Sequence, residues 1–240
     1  MLKIAIWNLK GGTAKSTTAL NLGAMLAKSK YSTLLIDLDG QRTLSFGLGL
    51  DGKEPTALDW LTISANQPIA TEVQNLSLIP GDIGMFRLTA DKDLFRPSLK
   101  RIRGFDVCLM DCPPSLGVIS VQAILNSDRV LLPTLTEPAA LKGLSEAIAL
   151  IRGENPDIPI EVLRARYRPR LVLTREADDI LIEAEKDLNY RLLHTTIPEN
   201  IQVAESIAQQ QPVGDYAPNS SGARAYKSLA KECVKLWGIK

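Results

Sequence analysis

The sequence is poor in the residues that build metal centres, disulfide frameworks and membrane spans. It has one histidine, His194, three cysteines, and no run of 18 apolar residues. An odd number of cysteines without paired spacing favours reduced thiols in the cytoplasm. Cys108 and Cys112 are four residues apart, but no histidine or further cysteine completes a zinc set. His194 has no visible partner in the sequence and is interpreted as a structural residue. The apolar runs are too short for a membrane-spanning helix, so none is expected.

The chain also has almost no net charge, which limits how it can bind nucleic acid. Its 240 residues include 28 Lys and Arg against 27 Asp and Glu, a formal net charge of +1. Any contact with nucleic acid must therefore come from a local basic patch. The chain begins directly with a predicted strand, so we expect no signal peptide.

Short apolar runs alternate with helical patterns along the chain, an order typical of βαβ units. We find no internal repeat and no low-complexity linker, so the sequence predicts a single α/β domain over residues 1–240. Its sheet is expected to be mostly parallel and twisted, with helices on both faces. The predicted strands are 3–7, 33–36, 76–79, 106–110, 129–132, 170–173 and 192–197. The predicted helices are 16–27, 118–125, 141–151, 178–188, 201–209 and 223–237. Segment 156–169 contains three prolines and is interpreted as a surface loop or edge strand.

A glycine-rich loop lies between the first predicted strand and the first predicted helix. Gly11 and Gly12 let the backbone N–H groups turn toward phosphate oxygens, and the helix N-terminus adds a favourable dipole. Lys15 can reach the terminal phosphates, and the Ser16 hydroxyl can ligate Mg²⁺. The predicted phosphate-binding residues are Lys10, Gly11, Gly12, Thr13, Ala14, Lys15, Ser16 and Thr17. The sequence therefore predicts a P-loop NTPase that binds a nucleoside triphosphate.

Carboxylates end two other predicted strands. Asp37 and Asp39 follow strand 33–36, and Asp111 follows strand 106–110. Ligands bind at the carboxyl ends of the strands in open α/β sheets. Asp37 and Asp39 are two residues apart and can lie near one Mg²⁺, and Asp111 ends its strand like a Walker B acid that binds Mg²⁺ through water.

The glycine-rich loop departs from the common form G-x-x-x-x-G-K-[ST]. Lys10 occupies the first glycine position, and Ala14 occupies the position before Lys15. A lysine ahead of two glycines marks the deviant Walker A motif x-K-G-G-x-x-K-[ST], and here the sequence resembles the ParA/MinD/Soj family of partition ATPases, closest to ParA and Soj. In that family the first lysine crosses a dimer interface to the partner subunit's ATP, which implies the same role for Lys10. If the backbone at Ala14 needs a positive φ, alanine costs about 1 kcal/mol.

The resemblance extends over nearly the whole chain. Residues 37–41 resemble the family's D-x-D-P-Q switch, with Gly40 in place of the proline, and residues 111–114 resemble the second switch. Segments 133–144, 197–206 and 221–226 also resemble family segments. The resemblance implies that Asp37 holds an Mg²⁺-bound water and that Asp39 orients the attacking water. By analogy, Thr174, Arg175 and Pro198 are expected near the adenine.

The function that the resemblance implies is a partition or positioning ATPase that uses ATP and Mg²⁺. Lys10, Lys15 and Asp39 would serve catalysis, and Ser16, Asp37 and Asp111 would serve the metal. An ATP-bound homodimer would bind DNA without sequence preference, and a ParB-like or other cargo adaptor would stimulate hydrolysis and release. The cargo would be a plasmid, a chromosome or a protein assembly, and the expected location is the cytoplasm, on the nucleoid. The sequence shows no strong general base, which predicts slow turnover that needs a stimulating partner.

One departure from the family concerns the DNA surface. The family commonly has an arginine linked to DNA binding where this chain has Glu199. The surface is therefore expected to be altered or moved, and each candidate set can equally be a solvated face. The candidates are Arg164, Arg166, Arg168 and Arg170; Arg96, Lys100, Arg101 and Arg103; and Lys227, Lys231 and Lys235.

Three alternative functions stay open from the sequence. A MinD-like membrane-surface ATPase would use an amphipathic last helix, whose apolar side, from Tyr226 to Trp237, suits core packing equally well. A relative of the nitrogenase iron protein would bind an iron–sulfur cluster through Cys112, but a second ligand is not evident. A non-catalytic nucleotide-binding scaffold is compatible with Ala14 and Gly40, which depart from the family pattern.

Overall fold

The computed structural model describes residues 1–64 and 68–239, and within helix 138–154 it leaves the side chains of residues 138–141 undescribed. The strands are β1 (Leu2–Ile6), β2 (Thr33–Asp37), β3 (Ile69–Ala70), β4 (Leu76–Ile79), β5 (Val107–Asp111), β6 (Arg129–Leu135), β7 (Ile160–Tyr167) and β8 (Arg191–Pro198). The α-helices are α1 (Lys15–Lys28), α2 (Thr43–Gly47), α3 (Ala57–Thr62), α4 (Phe95–Arg101), α5 (Val118–Leu125), α6 (Pro138–Glu154), α7 (Val172–Asp187), α8 (Ile201–Ala208), α9 (Val213–Tyr216) and α10 (Ser221–Trp237). A 3₁₀ helix spans Ile83–Arg87.

These strands form one sheet in the order β3-β4-β2-β5-β1-β6-β7-β8. All neighbours from β4 to β8 are parallel, whereas β3 pairs antiparallel with β4 at one edge. Parallel strands need crossover connections, which the helices supply. The predicted α/β class and mostly parallel sheet are confirmed.

Helices cover both faces of the sheet, so its central strands are buried on both sides. In β1, Ile4 and Ile6 belong to the core cluster that includes α1 and α10, whereas Ala5 belongs to the cluster on the other face, with Trp60 and Phe95. Strands covered on both faces have nearly continuous apolar sequences. This explains why the sequence pattern located β1, β2 and β5 to within one residue at each end.

The predictions of a surface loop or edge strand at 156–169 and of a strand at 170–173 are both wrong. The strand of this region is β7, between β6 and β8 inside the sheet, and residues 170–173 span the turn before α7 and its first two residues. Pro156, Pro159 and Pro169 flank β7 and do not interrupt it. The apolar residues of 171–173 misled the pattern because their side chains are exposed. The longer α6 and α7 replace predicted helices 141–151 and 178–188, and α2, α3, α4 and α9 were not predicted.

Candidate nucleotide-binding site

A cavity of about 970 Å³ opens at the carboxyl ends of the strands. Most of its lining comes from the glycine-rich loop with the start of α1 and from the end of β8 with α8. The loop contributes Gly11, Gly12, Ala14, Lys15, Ser16 and Thr17 to the lining. Most of the predicted phosphate-binding residues therefore line one cavity, whereas Thr13 is buried outside this lining, with its hydroxyl donating to the Lys10 carbonyl (3.4 Å).

The loop reaches α1 through two left-handed residues. Gly12 has φ 75°, and Ala14, the N-cap of α1, has φ 69°. The backbone at Ala14 thus needs the conformation that glycine adopts freely and alanine adopts under strain. Asn8 anchors the loop, because its side chain accepts from the Lys10 amide (3.0 Å) and donates to the Pro133 carbonyl (2.9 Å).

The two lysines of the loop have opposite environments. Lys15 is 7% exposed, and its Nζ donates to the Lys10 carbonyl (3.3 Å). Burial lowers the pKa of Lys15, whereas the nearby carboxylates of Asp111 and Asp39 raise it. The Lys10 side chain is exposed and does not belong to the described lining of the cavity. The loop thus directs one lysine into its own cavity and the other into solvent.

Asp37 and Asp111 occupy paired positions at the ends of β2 and β5. Asp37 accepts hydrogen bonds from the Ser45 hydroxyl (2.6 Å), the Ser45 amide (2.9 Å) and the Asp39 amide (3.2 Å). Burial raises the pKa of Asp37 to about 6, and the hydrogen bonds of Ser45 oppose this shift. Asp39 also lines the cavity and accepts from the Gln41 amide (3.0 Å).

Asp111 is fully buried, and within the described residues neither of its carboxylate oxygens has a well-aligned hydrogen bond. Burial and the charge of Asp37 raise the pKa of Asp111, whereas the Ser16 hydroxyl and Lys15 beside it lower this pKa. An unpaired buried carboxylate beside a hydroxyl is an oxygen donor set that suits Mg²⁺. Ser16 and Asp111 therefore fit the metal, while the oxygens of Asp37 are already bonded to the protein.

The other end of the cavity is mainly apolar. Pro198, predicted near the adenine, lines it together with Val203 and Ile207. Tyr226 of α10 also lines the cavity, and neither it nor Asn8 was predicted from the sequence as a site residue.

Thr174 and Arg175 are not brought to this cavity. They lie in the first turns of α7, Thr174 buried and Arg175 exposed, and they are not among the residues of its lining. The physical reason is the misplaced strand, because the carboxyl end of β7 brings Ala165 and Arg166 to the cavity instead. Recognising β7 in the sequence would have placed Arg166 at the cavity.

Most candidate basic residues are engaged within the chain. Arg164 pairs with Asp178 (2.7 Å). Arg166 and Arg168 both pair with Glu199. In the second set, Arg96 pairs with Asp93 (3.5 Å) and Arg101 donates to the Trp60 carbonyl (2.9 Å).

The third set lies on α10 and differs from the other two. Lys227, Lys231 and Lys235 are exposed, and the ion pairs found in the described part of the chain include none of them. The only acid of α10, Glu232, accepts from the His194 amide (2.7 Å) and the Thr195 amide (2.9 Å) of β8. The exposed lysines of α10 therefore form a stripe, and the one acid of their helix is hydrogen-bonded to the backbone of β8.

Two of the alternative functions lose their structural basis. The apolar side of α10 packs in the core, where Tyr226 and Leu229 are fully buried, so it is not presented to a membrane surface. None of the described helices is long and apolar enough to cross a membrane. Cys112 is also fully buried, which keeps its thiol from a cluster shared with another subunit.

Comparisons with known proteins agree with this geometry. A family model described as an AAA domain matches residues 1–158. The sporulation initiation inhibitor protein Soj of Bacillus subtilis is 34% identical over 95% of this chain and 96% of its own. The chromosome-partitioning ATPase Soj of Treponema pallidum is 32% identical over 95% of this chain and 94% of its own. The chain belongs to the ParA/Soj family of partition ATPases.

A solved relative extends the comparison to three dimensions. The septum site-determining protein MinD of Pyrococcus horikoshii, solved with Mg-ADP, superposes with a TM-score of 0.83 at 29% identity and covers 100% of this chain and 98% of its own. The predictions of the family, of an ATPase, and of ATP and Mg²⁺ as its ligands are confirmed. This member of the ParA/Soj family is therefore a partition or positioning ATPase.

Proposed function

We propose that this ParA/Soj-family ATPase is a switch whose ATP-bound homodimer binds DNA without sequence preference. A cargo adaptor, ParB-like or of another type, stimulates hydrolysis and thereby releases the dimer from DNA. The cycle places a plasmid, a chromosome or a protein assembly on the nucleoid in the cytoplasm.

The observation that carries this proposal is the opposite placement of two lysines on one loop. The Lys15 side chain is buried at the nucleotide cavity of its own subunit, whereas the Lys10 side chain, on the same loop, is exposed to solvent. A phosphate site gains from every positive charge that is positioned before the reaction begins. An exposed Lys10 can supply such a charge to the nucleotide of a second copy, and two copies that do so reciprocally bury both nucleotides between them.

The residues around the cavity have separate roles in hydrolysis. The backbone N–H groups of residues 11–16 and the Lys15 ammonium bind and neutralise phosphate oxygens. Ser16 and Asp111 hold Mg²⁺, which supplies charge neutralisation when it is bound. Asp39 orients the attacking water. Within the described lining the carboxylates are few and no histidine is present, so we expect slow turnover by the ATPase alone.

The DNA surface that we propose is the α10 stripe, defined as Lys227, Lys231 and Lys235. The three lysines recur at helical i, i+4 spacing on the exposed side of α10, and Glu232 is turned away onto β8. Lysines that release counterions from phosphates bind any sequence and lose affinity steeply with salt. This stripe supports sequence-independent binding better than Arg96, Arg164, Arg166 and Arg168, which form ion pairs within the chain.

The experiment that tests the proposal is DNA binding by wild type and Lys10→Ala, with ATP, ADP or no nucleotide, at several salt concentrations. We expect salt-sensitive binding to any sequence with ATP, and its loss in Lys10→Ala. Nucleotide binding by the isolated Lys10→Ala subunit should persist, because Lys15 still neutralises the phosphates, whereas Lys15→Ala should lose it. Wild type that binds no DNA in any state would overturn the proposal and leave a membrane or protein surface as the partner, which vesicle sedimentation with ATP would distinguish.

A further inference from the structure

One acidic residue is held between two arginines at the rim of the nucleotide cavity. The guanidinium of Arg166 donates to one carboxylate oxygen of Glu199 (2.8 Å). Arg168 donates from Nε to the other carboxylate oxygen. Hydrogen bonds from Arg168 and Arg166 hold the pKa of Glu199 at about 2, so this carboxylate is charged at every pH relevant to folding.

A local irregularity of the sheet brings these three residues together. The register between β7 and β8 shifts between Arg164 and Tyr167, and Arg166 in between has φ 50°. Such bulges re-aim side chains, and a left-handed arginine costs about 1 kcal/mol or more that the surrounding structure must offset. The Glu199 amide donates to the Tyr167 carbonyl (3.2 Å), which ties the two strand ends at this point. The bulge thus directs Arg166 toward Glu199.

The cluster is open to solvent, unlike the neighbouring pair of Arg164 and Asp178. The side chains of Arg166 and Arg168 are 53% and 49% exposed, whereas that of Arg164 is 10% exposed. Exposed ion pairs contribute little to stability. An arginine pair that holds a carboxylate by one oxygen each has the geometry that also binds a phosphate. The carboxylate of Glu199 therefore occupies a position that suits a phosphate group.

The cluster is also continuous with the start of α10. Asn200, next to Glu199, donates to the Ser221 hydroxyl in the first turn of α10 (2.9 Å). Arg224, exposed and one turn further on, lies on the same side of α10 as the lysines of the stripe, because positions 224, 227, 231 and 235 follow helical spacing. A nucleic acid backbone along the α10 stripe can therefore extend to Arg166 and Arg168.

We propose that Arg166 and Arg168 form a phosphate-binding site for the DNA backbone that Glu199 masks, so that a phosphate must displace the carboxylate to use both arginines. This inference rests on the proposed DNA binding. The mask lowers the affinity for DNA and the number of phosphates contacted, and so leaves the complex easier to dissociate.

The test compares Glu199→Gln with Glu176→Gln in binding a random-sequence duplex across a salt series. Glu176 is an exposed acid of α7 for which the described residues show no ion pair, so its variant controls for the loss of one negative charge. Because Arg166 and Glu199 also line the nucleotide cavity, ATP affinity is measured for each variant and DNA binding is measured at saturating ATP. We expect Glu199→Gln to bind DNA about three- to tenfold tighter, with a salt slope steeper by about one to two phosphates. Glu176→Gln should differ less than about twofold from wild type.

A triple variant identifies the groups responsible. Glu199→Gln combined with Arg166→Gln and Arg168→Gln should lose the gain in affinity and return to the wild-type salt slope or below it. If wild type binds DNA but Glu199→Gln matches Glu176→Gln, or if the triple variant keeps the gain, the masked site is overturned while the proposed function stands. If neither wild type nor Glu199→Gln binds DNA with ATP, both are overturned.

Discussion

Asp37 and Asp111 lie side by side at paired positions of neighbouring strands, yet of the two only the Asp37 carboxylate has well-aligned hydrogen bonds among the described residues. Ser45 supplies Asp37 with two donors, whereas both oxygens of Asp111 are buried without a well-aligned hydrogen bond from the described residues. Two buried carboxylates so close together cannot both be charged without cost. The ligand-free chain therefore stores an electrostatic strain that a cation at Asp111 relieves.

This pair predicts an unusual pH dependence of stability. Burial raises the pKa of Asp37 from 3.8 to about 6 and raises that of Asp111 as well, so between these values the folded state binds more protons than the unfolded state. The free energy of unfolding must then fall as the pH rises through this window. In urea titrations without metal or nucleotide, we expect the chain to be more stable at about pH 5 than at about pH 7.5, by roughly 2 kcal/mol. Mg²⁺ with nucleotide should reduce the difference.

Asp111→Asn isolates the contribution of the second carboxyl. Without its charge, the ligand-free chain should gain stability near neutral pH and lose part of its pH dependence, while Mg²⁺-dependent ATPase activity falls by about 10- to 100-fold. Asp157→Asn, at an exposed acid, serves as the control and should change neither property. If Asp111→Asn is less stable than wild type at neutral pH, Asp111 is not electrostatically strained.

Ala14 gives a second prediction, on the backbone of the glycine-rich loop. Its φ of 69° is free of strain for glycine but not for alanine. Ala14→Gly should therefore stabilise the chain by up to about 1 kcal/mol, although glycine also adds entropy to the unfolded chain. Chemical denaturation measures the change, with Ala225→Gly inside α10 as the control, which should destabilise by about 1 kcal/mol. A loss of stability in Ala14→Gly would contradict the strain.

The residues of the glycine-rich loop and the strand-ending aspartates could be predicted from the sequence because local chemistry determines them. A phosphate loop needs its glycines and Lys15 at fixed spacing, and Asp37 and Asp111 directly end fully buried strands. Strands that are buried on both faces can also be located without knowledge of the tertiary structure, because their sequences are almost continuously apolar.

The rest depends on tertiary contacts that a sequence pattern does not contain. β7 includes Arg164, and a charged residue inside a strand is tolerated there because Asp178 and the Leu193 carbonyl bind its guanidinium. Likewise, the sequence shows only that Glu199 stands where the family commonly has an arginine. The two arginines that bond to Glu199 are brought to it by the bulge at Arg166, which the sequence does not reveal. The hydrogen bonds from Ser45 to Asp37 could not be predicted from the sequence, because they join the short helix α2 to the end of β2.

Gly40 and Phe86 form a contact that predicts a third result. A Cβ at Gly40 would lie 2.6 Å from two ring atoms of Phe86, so the ring fills the space where any larger residue would place its side chain. Phe86 is 57% exposed and can swing outward. We expect Gly40→Ala to cost about 1 kcal/mol in wild type and nearly nothing in Phe86→Ala, as a double-mutant cycle of unfolding measures. Equal costs in both backgrounds would show that the ring does not limit position 40.

The α10 stripe predicts how DNA affinity depends on salt. Each of Lys227, Lys231 and Lys235 is exposed, so its replacement by glutamine should change the free energy of unfolding by less than about 0.5 kcal/mol. If each contacts one phosphate, the triple variant should weaken binding to every sequence alike and lower the salt slope by about three. Fluorescence anisotropy with duplexes of unrelated sequence, at saturating ATP, measures both quantities.

The prediction is that the position of the three lysines on α10, and not only their charge, determines DNA binding. The control variant must therefore remove the same charge from another part of the surface. Lys30, Lys53 and Lys186 are exposed lysines outside α10, and their triple glutamine variant has the same net charge as the stripe variant. Charge alone acts at long range and is screened within about 10 Å at 0.1 M salt, whereas contact with phosphates requires the lysines on one face. The control should therefore keep the wild-type salt slope. If the salt slope of the control variant falls as far as that of the stripe variant, DNA binding depends on overall charge, and α10 is not the DNA surface.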